Sequence, residues 1–376
     1  MNNDDLIYAS LLLFSITFGY FIRLFKEREL RKWVSTLVGL LLVFVVSGFH
    51  IVHPLICTLI NALIIVNMDK TWWVLPSKSK TPQLPKQRQG TRVRTVIPTF
   101  RKWQLLSVLG LWTSSIMPSH MLESSQYAKS DEFYSERSFW YRLWYTYPSF
   151  FIFRMRIYSG LIMSECVCTM AGLGAYPVAT APVAGQGPSK DFALLRQVVS
   201  DPEQAKKATY NFETIHNIDP YGSEFIPTLR QSMKSWNICI QYWLAVNVYK
   251  RLPRNAFRTT VTLFVSAFWH GIYAGYYLCI CTVALYLPVE DLYVKHFTKG
   301  LGGMAGKIAD FVVWFFRLQA LSYMAITFFL LTIHDSFKYW NSIYFCCHVL
   351  WAAFYMVGVV AVKARKKSNM EKDKSI

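Results

Sequence analysis

The chain has 376 residues, of which 53% are hydrophobic and 16% aromatic, and its mean hydropathy is positive. This composition is unusual for a soluble globular protein and indicates a protein with several membrane spans. The formal charge is +18, but Lys and Arg occur in short clusters between apolar runs, which is typical of topology signals rather than of a nucleic-acid interface. We therefore expect membrane lipid, and no nucleic acid, as a partner.

The eight cysteines lie in or beside apolar stretches. Their positions lack the paired spacing of a zinc site or of a secreted disulfide framework. We therefore predict that most of them fill small apolar spaces and that the chain has no metal site.

Apolar runs along the chain predict an all-α, polytopic transmembrane helical bundle with about 8–10 membrane helices. In chain order the runs lie at 6–22, 34–51, 54–68, 104–118, 146–173, 234–250, 257–288, 311–333 and 340–362. The run at 146–173 leaves room for a break, and the run at 257–288 is predicted as two segments around Gly271 and Gly275. The spacing of these two glycines predicts close helix packing.

These runs divide the chain into N-terminal membrane helices over 1–68, a basic connection over 69–103, a helical core over 104–362 and a cytosolic tail over 363–376. The connection is punctuated by Pro and has little apolar periodicity. We therefore predict that it is disordered and cytosolic, with a patch that binds the membrane surface or nucleic acid as the alternative.

A long polar loop is predicted over 175–224, and its second half, 210–221, carries the aromatic and acidic residues typical of a functional segment. After this loop, apolar residues recur at three- and four-residue steps. They predict one amphipathic helix that leads into the run at 234–250 and contains Phe225, Leu229, Met233 and Trp236.

Basic clusters at 23–32, 250–258 and 363–367 predict that these three segments lie on the cytosolic side of the membrane. The first apolar run is predicted to stay in the protein, because acidic residues precede it where a signal peptide would carry positive charge. The last five residues resemble a dilysine retrieval signal of endoplasmic reticulum membrane proteins. A solvated charged tail is the alternative.

Two polar residues in apolar sequence, Asn237 and His270, form a candidate catalytic pair. Asn237 lies thirteen residues before Lys250, and His270 lies twelve residues after Arg258. Helices joined at this basic turn are antiparallel, so each side chain is expected roughly 18–20 Å from the turn. Polar groups inside a bilayer cost free energy, so two of them at the same depth favour a functional role.

The chemistry of this pair suits acyl transfer to an alcohol. A histidine in a dry cavity accepts a proton from a hydroxyl, and an asparagine amide orients the substrate or donates to a developing oxyanion. The chain contains no GxSxG, HExxH, P-loop or GxGxxG motif. The alternative is that His270 only packs or caps a helix.

The sequence around both residues resembles the membrane-bound O-acyltransferase family, through Trp236-Asn237 and through the run Ser-Ala-Phe-Trp-His-Gly that contains His270. The resemblance continues in order through 153–158, 165–166, 172–177, 213–219, 275–277 and 339–345. It covers about 104–362 well and 1–67 more loosely.

The resemblance implies transfer of a fatty acyl group, with arachidonoyl favoured, from acyl-CoA to the sn-2 hydroxyl of lysophosphatidylinositol. It implies phospholipid remodelling in the endoplasmic reticulum membrane, with acyl-CoA as a co-substrate and no cofactor. Carried onto this chain, His270 is the general base and Asn237 is the second catalytic residue.

Further residues are expected to bind substrate. Arg154 and Arg156 are candidates for pairing with phosphate groups, with snorkelling at the membrane interface as the alternative. Beside His270, the candidates are Ser266, Trp269 and Tyr273.

The chain departs from the family in one place. Relatives are expected to carry further apolar spans before the run at 104–118, where this chain has the basic stretch 69–103. The resemblance implies a helical chamber around the active site, and loss of part of its wall predicts lower activity. The departure favours one alternative, a catalytically impaired membrane protein that binds a partner. A second alternative, independent of it, is an acyltransferase for another lysophospholipid headgroup.

Overall fold

The computed structural model describes residues 3–25, 27–52, 56, 59, 124–255 and 257–374. The predicted helix at 54–68 falls almost entirely outside these residues. The predicted helix at 104–118 and the connection at 69–103 lie wholly outside them, as does the block where this chain departs from the family. The described residues are mainly helical, which agrees with the predicted all-α class.

The helices, numbered along the described residues, are α1 (Asn3–Ile22), α2 (Arg28–Ser47), α3 (Ser124–Tyr127), α4 (Asp131–Glu136), α5 (Phe139–Met170), α6 (Phe192–Ser200), α7 (Pro202–Lys207), α8 (Pro220–Phe225), α9 (Leu229–Ser232), α10 (Ile238–Asn247), α11 (Arg258–His270), α12 (Ala274–Tyr293), α13 (Gly303–Leu330), α14 (Ile333–Ser342) and α15 (Cys346–Lys374). Short 3₁₀ turns cover Gly48–Ile51, Val178–Thr180, Glu213–Ile215, Met233–Ser235 and Tyr249–Arg251, and a π turn covers Val294–Thr298.

Four two-residue strands form two antiparallel pairs. The strands are β1 (Tyr176–Pro177), β2 (Pro182–Val183), β3 (Gly187–Pro188) and β4 (Tyr210–Asn211). β1 pairs with β4, and β2 pairs with β3.

The predicted break inside 257–288 is confirmed. α11 ends at His270 and α12 begins at Ala274. Gly271 ends the first helix with φ of 127°, a conformation that a residue with a Cβ rarely adopts. By contrast, α5 is one helix that begins at Phe139, seven residues before the predicted start, and continues through Pro148.

The single helix predicted at 340–362 is wrong, because α14 and α15 are separate helices. Tyr344 and Phe345, in the turn between them, have φ of 53° and 49°, a left-handed conformation that bulky residues rarely adopt. The N–H of Phe345 donates to the carbonyl oxygen of Trp340 at 2.8 Å. The turn residues Ile343, Tyr344 and Phe345 are themselves apolar, so the apolar pattern gives no sign of the turn.

The single amphipathic helix predicted from Phe225 to Trp236 is also wrong. α9 and a 3₁₀ turn replace it, and α10 begins only after it. Pro227 interrupts the run, and the carboxylate of Glu290 accepts the N–H of Leu229 at 2.8 Å. This part of the backbone is therefore capped by a side chain from another helix.

The described residues fall into two compact units, the first formed by 1–100 and 163–216. In this unit α1 packs closely on the last turn of α5, since a Cβ on Gly19 would lie 3.2 Å from the Cβ of Met170. Residues 175–216, predicted as part of a polar loop, instead carry the four strands with α6 and α7. Their small core contains Ala175, Val198, Ala205 and Tyr210.

The second unit is formed by 101–162 and 217–376. Its core is rich in aromatic side chains, among them Phe133, Tyr145, Tyr286, Tyr323, Tyr339 and Trp340. Within the described residues, three helices are long and apolar enough to cross a membrane, over Ala274–Thr298, Gly303–Leu330 and Cys346–Ser368.

The start of α12 meets the end of α13 at a close backbone contact. The N–H of Gly275 donates to the carbonyl oxygen of Leu331 at 2.7 Å. The hydroxyl of Thr327 donates to the carbonyl oxygen of Gly275 at 3.0 Å. A Cβ on Gly275 would lie 2.0 Å from the carbonyl oxygen of Thr327, so only glycine fits here. We call these three residues the docking contact.

We expect Gly275→Ala to destabilise the protein by about 1–3 kcal/mol, because the added methyl group overpacks against backbone that does not move easily. Gly39→Ala is the matched control, since a Cβ there meets nothing within 4 Å and Ala favours a helix by up to about 1 kcal/mol. Thermal unfolding in detergent measures both. An unfolding midpoint for Gly275→Ala at or above that of Gly39→Ala would contradict the close approach.

Candidate active site

His270 is the last residue of α11, and its ring contacts two aromatic rings from α12 and α13. The ring of His270 lies 5.2 Å from that of Phe328, edge to face, and 6.0 Å from that of Tyr276. The rings of Tyr276 and Phe328 are themselves 4.5 Å apart. We call Tyr276 and Phe328 the aromatic seat of His270.

The local sequence explains how the seat forms. Gly271 ends α11, and three residues later α12 begins against the end of α13. Gly275 is held to Leu331 by its N–H, so the next residue, Tyr276, is fixed beside α13. Leu331 itself has φ of 66°, a left-handed value that costs energy in a residue other than Gly. The chain direction after His270 is therefore set by the docking contact.

The surroundings of His270 on α11 and the following turn are exposed and apolar. His270 itself is exposed, and its exposed apolar neighbours are Phe268, Trp269, Ile272 and Tyr273. Ser266 is half-buried one helical turn earlier. Large exposed apolar surface of this kind contacts lipid, an apolar ligand or another protein. We call these four neighbours the apolar face.

Asn237 lies at the N-cap position of α10 in a left-handed conformation, with φ of 48° and ψ of 48°. Asn is among the residues that tolerate this conformation. Its side chain does not cap the helix. Instead Asn217 binds the first turn, because its backbone oxygen accepts the N–H of Ile238 at 2.7 Å and its Oδ1 accepts the N–H of Cys239 at 3.0 Å.

This capping leaves the carboxamide of Asn237 available for another role. It makes no hydrogen bond with any of the residues that the structure describes. Strained residues other than Gly cluster at functional sites. Sequence reasoning missed Asn217, although it lies in the segment 213–219 that resembles the family.

The two candidate catalytic residues are not in direct contact. Among the described residues, no hydrogen bond or ring contact joins Asn237 to His270. The helices that carry them meet through Trp243 of α10 and Trp269 of α11, whose rings are 5.4 Å apart. Trp243 is six residues from Asn237, about 9 Å along the helix, whereas Trp269 adjoins His270. This arrangement does not fit a direct His–Asn dyad. It fits separate contacts of the two residues with the reacting substrates. The shared membrane depth stays a prediction.

Arg154 is held by a carboxylate. It is 4% exposed, and its Nε and Nη2 donate to the two carboxylate oxygens of Glu224 at 2.8 and 3.2 Å. The hydroxyl of Tyr158 donates to the same carboxylate at 2.7 Å. This burial argues against snorkelling by Arg154. Its pairing with phosphate stays a prediction, for which the remaining donor is Nη1, buried without a partner among the described residues. Arg156, by contrast, is exposed on α5.

A second buried arginine binds the same helix, α8, which contains Glu224. Arg317 of α13 is fully buried and donates to the carbonyl oxygens of Ser223 and Glu224 at 2.7 and 2.6 Å. The indole N–H of Trp314 also donates to the carbonyl oxygen of Glu224 at 2.6 Å. Sequence reasoning missed this network. The available signal was Arg317 itself, a cation inside the apolar run 311–333.

No metal ligand set can be assigned to these elements. Among the described residues, no three side chains of His, Cys, Asp or Glu lie together as a metal site requires.

The family model of the membrane-bound O-acyltransferase family matches residues 124–333, more than half of the chain. This match contains α10 to α13, and with them Asn237, His270 and the aromatic seat. The chain belongs to the membrane-bound O-acyltransferase family. With this family and three candidate spans, it is an integral membrane protein of polytopic helical fold.

Curated relatives refine this class. The chain is 43% identical over 243 residues to the membrane-bound acylglycerophosphatidylinositol O-acyltransferase frj of Drosophila melanogaster. The matched region covers 65% of this chain and 48% of the relative. It is 40% identical over 263 residues to the membrane-bound acylglycerophosphatidylinositol O-acyltransferase MBOAT7 of Homo sapiens. Here the matched region covers 69% of this chain and 53% of the relative. The chain thus spans about half the length of the curated relatives it matches.

We expect Glu224→Ala to destabilise the protein by about 3 kcal/mol, because it leaves the buried Arg154 cation without its counter-charge. Replacing both residues by Leu should cost less than this single change, since no buried charge is then left unpaired. Thermal unfolding in detergent measures both variants.

Glu203→Ala is the matched control for Glu224→Ala. It removes an exposed ion pair with Lys206, which contributes at most about 1 kcal/mol. Equal unfolding midpoints for Glu224→Ala and Glu203→Ala would show that the buried pair does not stabilise the fold.

Proposed function

We propose that this chain is an acyl-CoA-dependent O-acyltransferase that acylates the sn-2 hydroxyl of lysophosphatidylinositol. Membership of the family and the printed names of its relatives support this substrate class. The observation that carries the proposal is His270, held on its aromatic seat beside the apolar face. A base next to apolar surface suits a reaction between two amphiphilic substrates.

In the proposed reaction, the imidazole of His270 accepts the proton of the sn-2 hydroxyl. The hydroxyl oxygen forms a bond to the thioester carbonyl carbon, and the carbon–sulfur bond then breaks. The CoA thiolate leaves and takes up the proton from His270. The amide N–H of Asn237 donates to the oxyanion that develops on the carbonyl oxygen. No cofactor is required, because acyl-CoA is consumed as a co-substrate.

The neighbours of His270 suit the proposed substrates. Trp269 and Tyr273 belong to the apolar face, which would contact the acyl chain, with arachidonoyl as the proposed donor. Ser266 lies four residues before His270 and so on the same side of α11. Arg156, which is exposed on α5, is the proposed partner of the lipid phosphate. Phospholipid remodelling in the endoplasmic reticulum membrane is the proposed setting.

A second candidate function is that of a membrane protein without catalysis that binds a partner. The observation that favours it is the basic stretch 69–103, where relatives are expected to carry further apolar spans. The test is acyl transfer by the purified chain with arachidonoyl-CoA and lysophospholipids carrying inositol, choline, ethanolamine or serine. We expect transfer to the inositol lipid to be fastest. Faster transfer to a lysophospholipid with another headgroup would identify that lipid as the acceptor. No transfer by folded protein would favour the non-catalytic role.

We expect His270→Ala to lower acyl transfer by about 10²–10⁴-fold at unchanged protein level, because a positioned base is lost. Asn237→Ala should also lower transfer severely. His296→Ala is the control, since this histidine lies at the other end of α12. Rates per folded protein are compared at saturating substrate. A well-folded His270→Ala variant with near-normal turnover would refute the assignment.

We expect Phe328→Leu to lower kcat by roughly 10- to 100-fold with little change in KM, because small displacements of a catalytic group are costly. Loss of the ring removes one side of the aromatic seat and lets the imidazole move. Phe316→Leu on the same helix is the matched control, since its ring contacts Phe315 and Phe354 instead. An equal kcat in the two variants would exclude positioning by Phe328.

A further inference from the structure

The ends of the three candidate membrane spans meet at one place in the second unit. The first span ends at Thr298, the second begins at Gly303 and the third ends at Ser368. Arg365 on the third helix donates from Nη1 to the backbone oxygen of His296 at 3.1 Å. Its guanidinium also lies 4.6 Å from the ring centre of Phe297. The end of the third candidate span is therefore in contact with the connection between α12 and α13.

This contact brings two basic segments together. Residues 294–310 and 363–368 contain seven Lys and Arg but one carboxylate, Asp310. All seven cations are exposed, and they are Lys295, Lys299, Lys307, Lys363, Arg365, Lys366 and Lys367. We call them the basic surface. Like charges on adjoining segments repel one another, so an anion bound among them lowers the free energy of the fold.

The basic surface is held in shape by close helix packing. A Cβ on Gly358 of α15 would lie 2.7 Å from Cδ2 of Leu292, so the two helices approach closely there. The hydroxyl of Tyr293 donates to the backbone oxygen of Phe354 at 3.0 Å. Both contacts lie beside the basic surface. Its two segments are thus joined without a ligand.

Exposed apolar residues lie beside the cations. They occupy the start of α13 and the turn before it, and are Leu301, Met304, Ile308 and Phe311. A phospholipid satisfies both features, because its phosphate pairs with Lys and Arg while its chains cover apolar side chains. Nucleic acid or an acidic peptide would satisfy only the charges. The position at the ends of membrane spans also favours lipid.

The basic surface is separate from the candidate active site. Phe328, which contacts His270, lies 25 residues after Gly303 on the continuous helix α13. This separation is about 37 Å along the helix axis. An anion on the basic surface is therefore remote from His270.

We propose that the basic surface binds the headgroups of anionic phospholipids in the leaflet where these spans end. The contacts of Arg365 with His296 and Phe297 make it a composite site, to which the α12–α13 connection and α15 both contribute. Binding there is independent of acyl transfer. It anchors this end of the bundle at the membrane surface.

The test uses the full chain, purified in detergent, and titrates fluorescent phosphatidylserine and phosphatidylcholine in the same micelles. Phosphatidylserine separates this site from the proposed inositol-lipid substrate. We expect phosphatidylserine to bind more tightly, and 0.5 M NaCl to weaken it because salt screens exposed charges. Equal affinity for the two lipids, or tighter binding of a short RNA than of phosphatidylserine, would overturn the proposal.

The variant Lys299→Gln/Lys363→Gln/Lys366→Gln removes cations from both segments. Each cation near an anionic surface contributes on the order of fivefold in affinity, so the variant should bind phosphatidylserine about 100-fold more weakly. The control Lys190→Gln/Arg196→Gln/Lys207→Gln removes three exposed cations elsewhere and should bind as the parent does. Equal loss in both variants would indicate a general charge effect and overturn the proposal. So would displacement of the lipid by millimolar inorganic phosphate, since it would show a simple anion site.

Discussion

The arrangement around His270 depends on one close backbone contact, between Gly275 at the start of α12 and the end of α13. The hydrogen bonds of Gly275 with Leu331 and Thr327 fix the helix that follows the break at Gly271. Tyr276 is thereby fixed beside Phe328, and the two rings form the seat of the imidazole. A side chain at residue 275 would collide with backbone. The identity of a single glycine therefore controls where the proposed general base lies, although glycine carries no chemistry of its own.

Around Asn237, the other candidate residue, the fold keeps the side-chain carboxamide available at some cost in backbone conformational energy. Asn237 is left-handed, and Asn217 takes over the capping that an N-cap residue usually provides. Nearby, Glu224 neutralises Arg154, while Arg317 binds only backbone oxygens among its described hydrogen-bond partners. The buried arginines that bind helix α8 are thus distinct from the exposed cations of the basic surface. Burial and hydrogen-bond partners, rather than charge alone, distinguish the buried arginines from the cations of the basic surface.

Part of the fold and of the candidate active site could be predicted from the sequence, and part could not. Apolar periodicity predicts α1, α2 and α13, and the glycines predict the break after His270, because these signals are local. The turn at Tyr344 leaves no local signal, since it is made of residues that also suit a helix. The pairing of Arg154 with Glu224 joins residues seventy positions apart, and no single-sequence pattern reports such a contact. The choice of Asn237 and His270 as candidates came from their setting in apolar sequence and from the family resemblance, and their catalytic roles stay predictions.

The central claim is that the docking contact positions His270 for acyl transfer. The most direct measurement compares the single-turnover rate per folded protein in Gly275→Ala and Gly358→Ala. Both changes add a methyl group to a close contact of α12, one beside His270 and the other beside Leu292 near the opposite end of the helix. We predict that Gly275→Ala lowers the rate at least tenfold, as expected for a displaced catalytic group, whereas Gly358→Ala keeps the parental rate. Equal rates in the two variants would contradict the account.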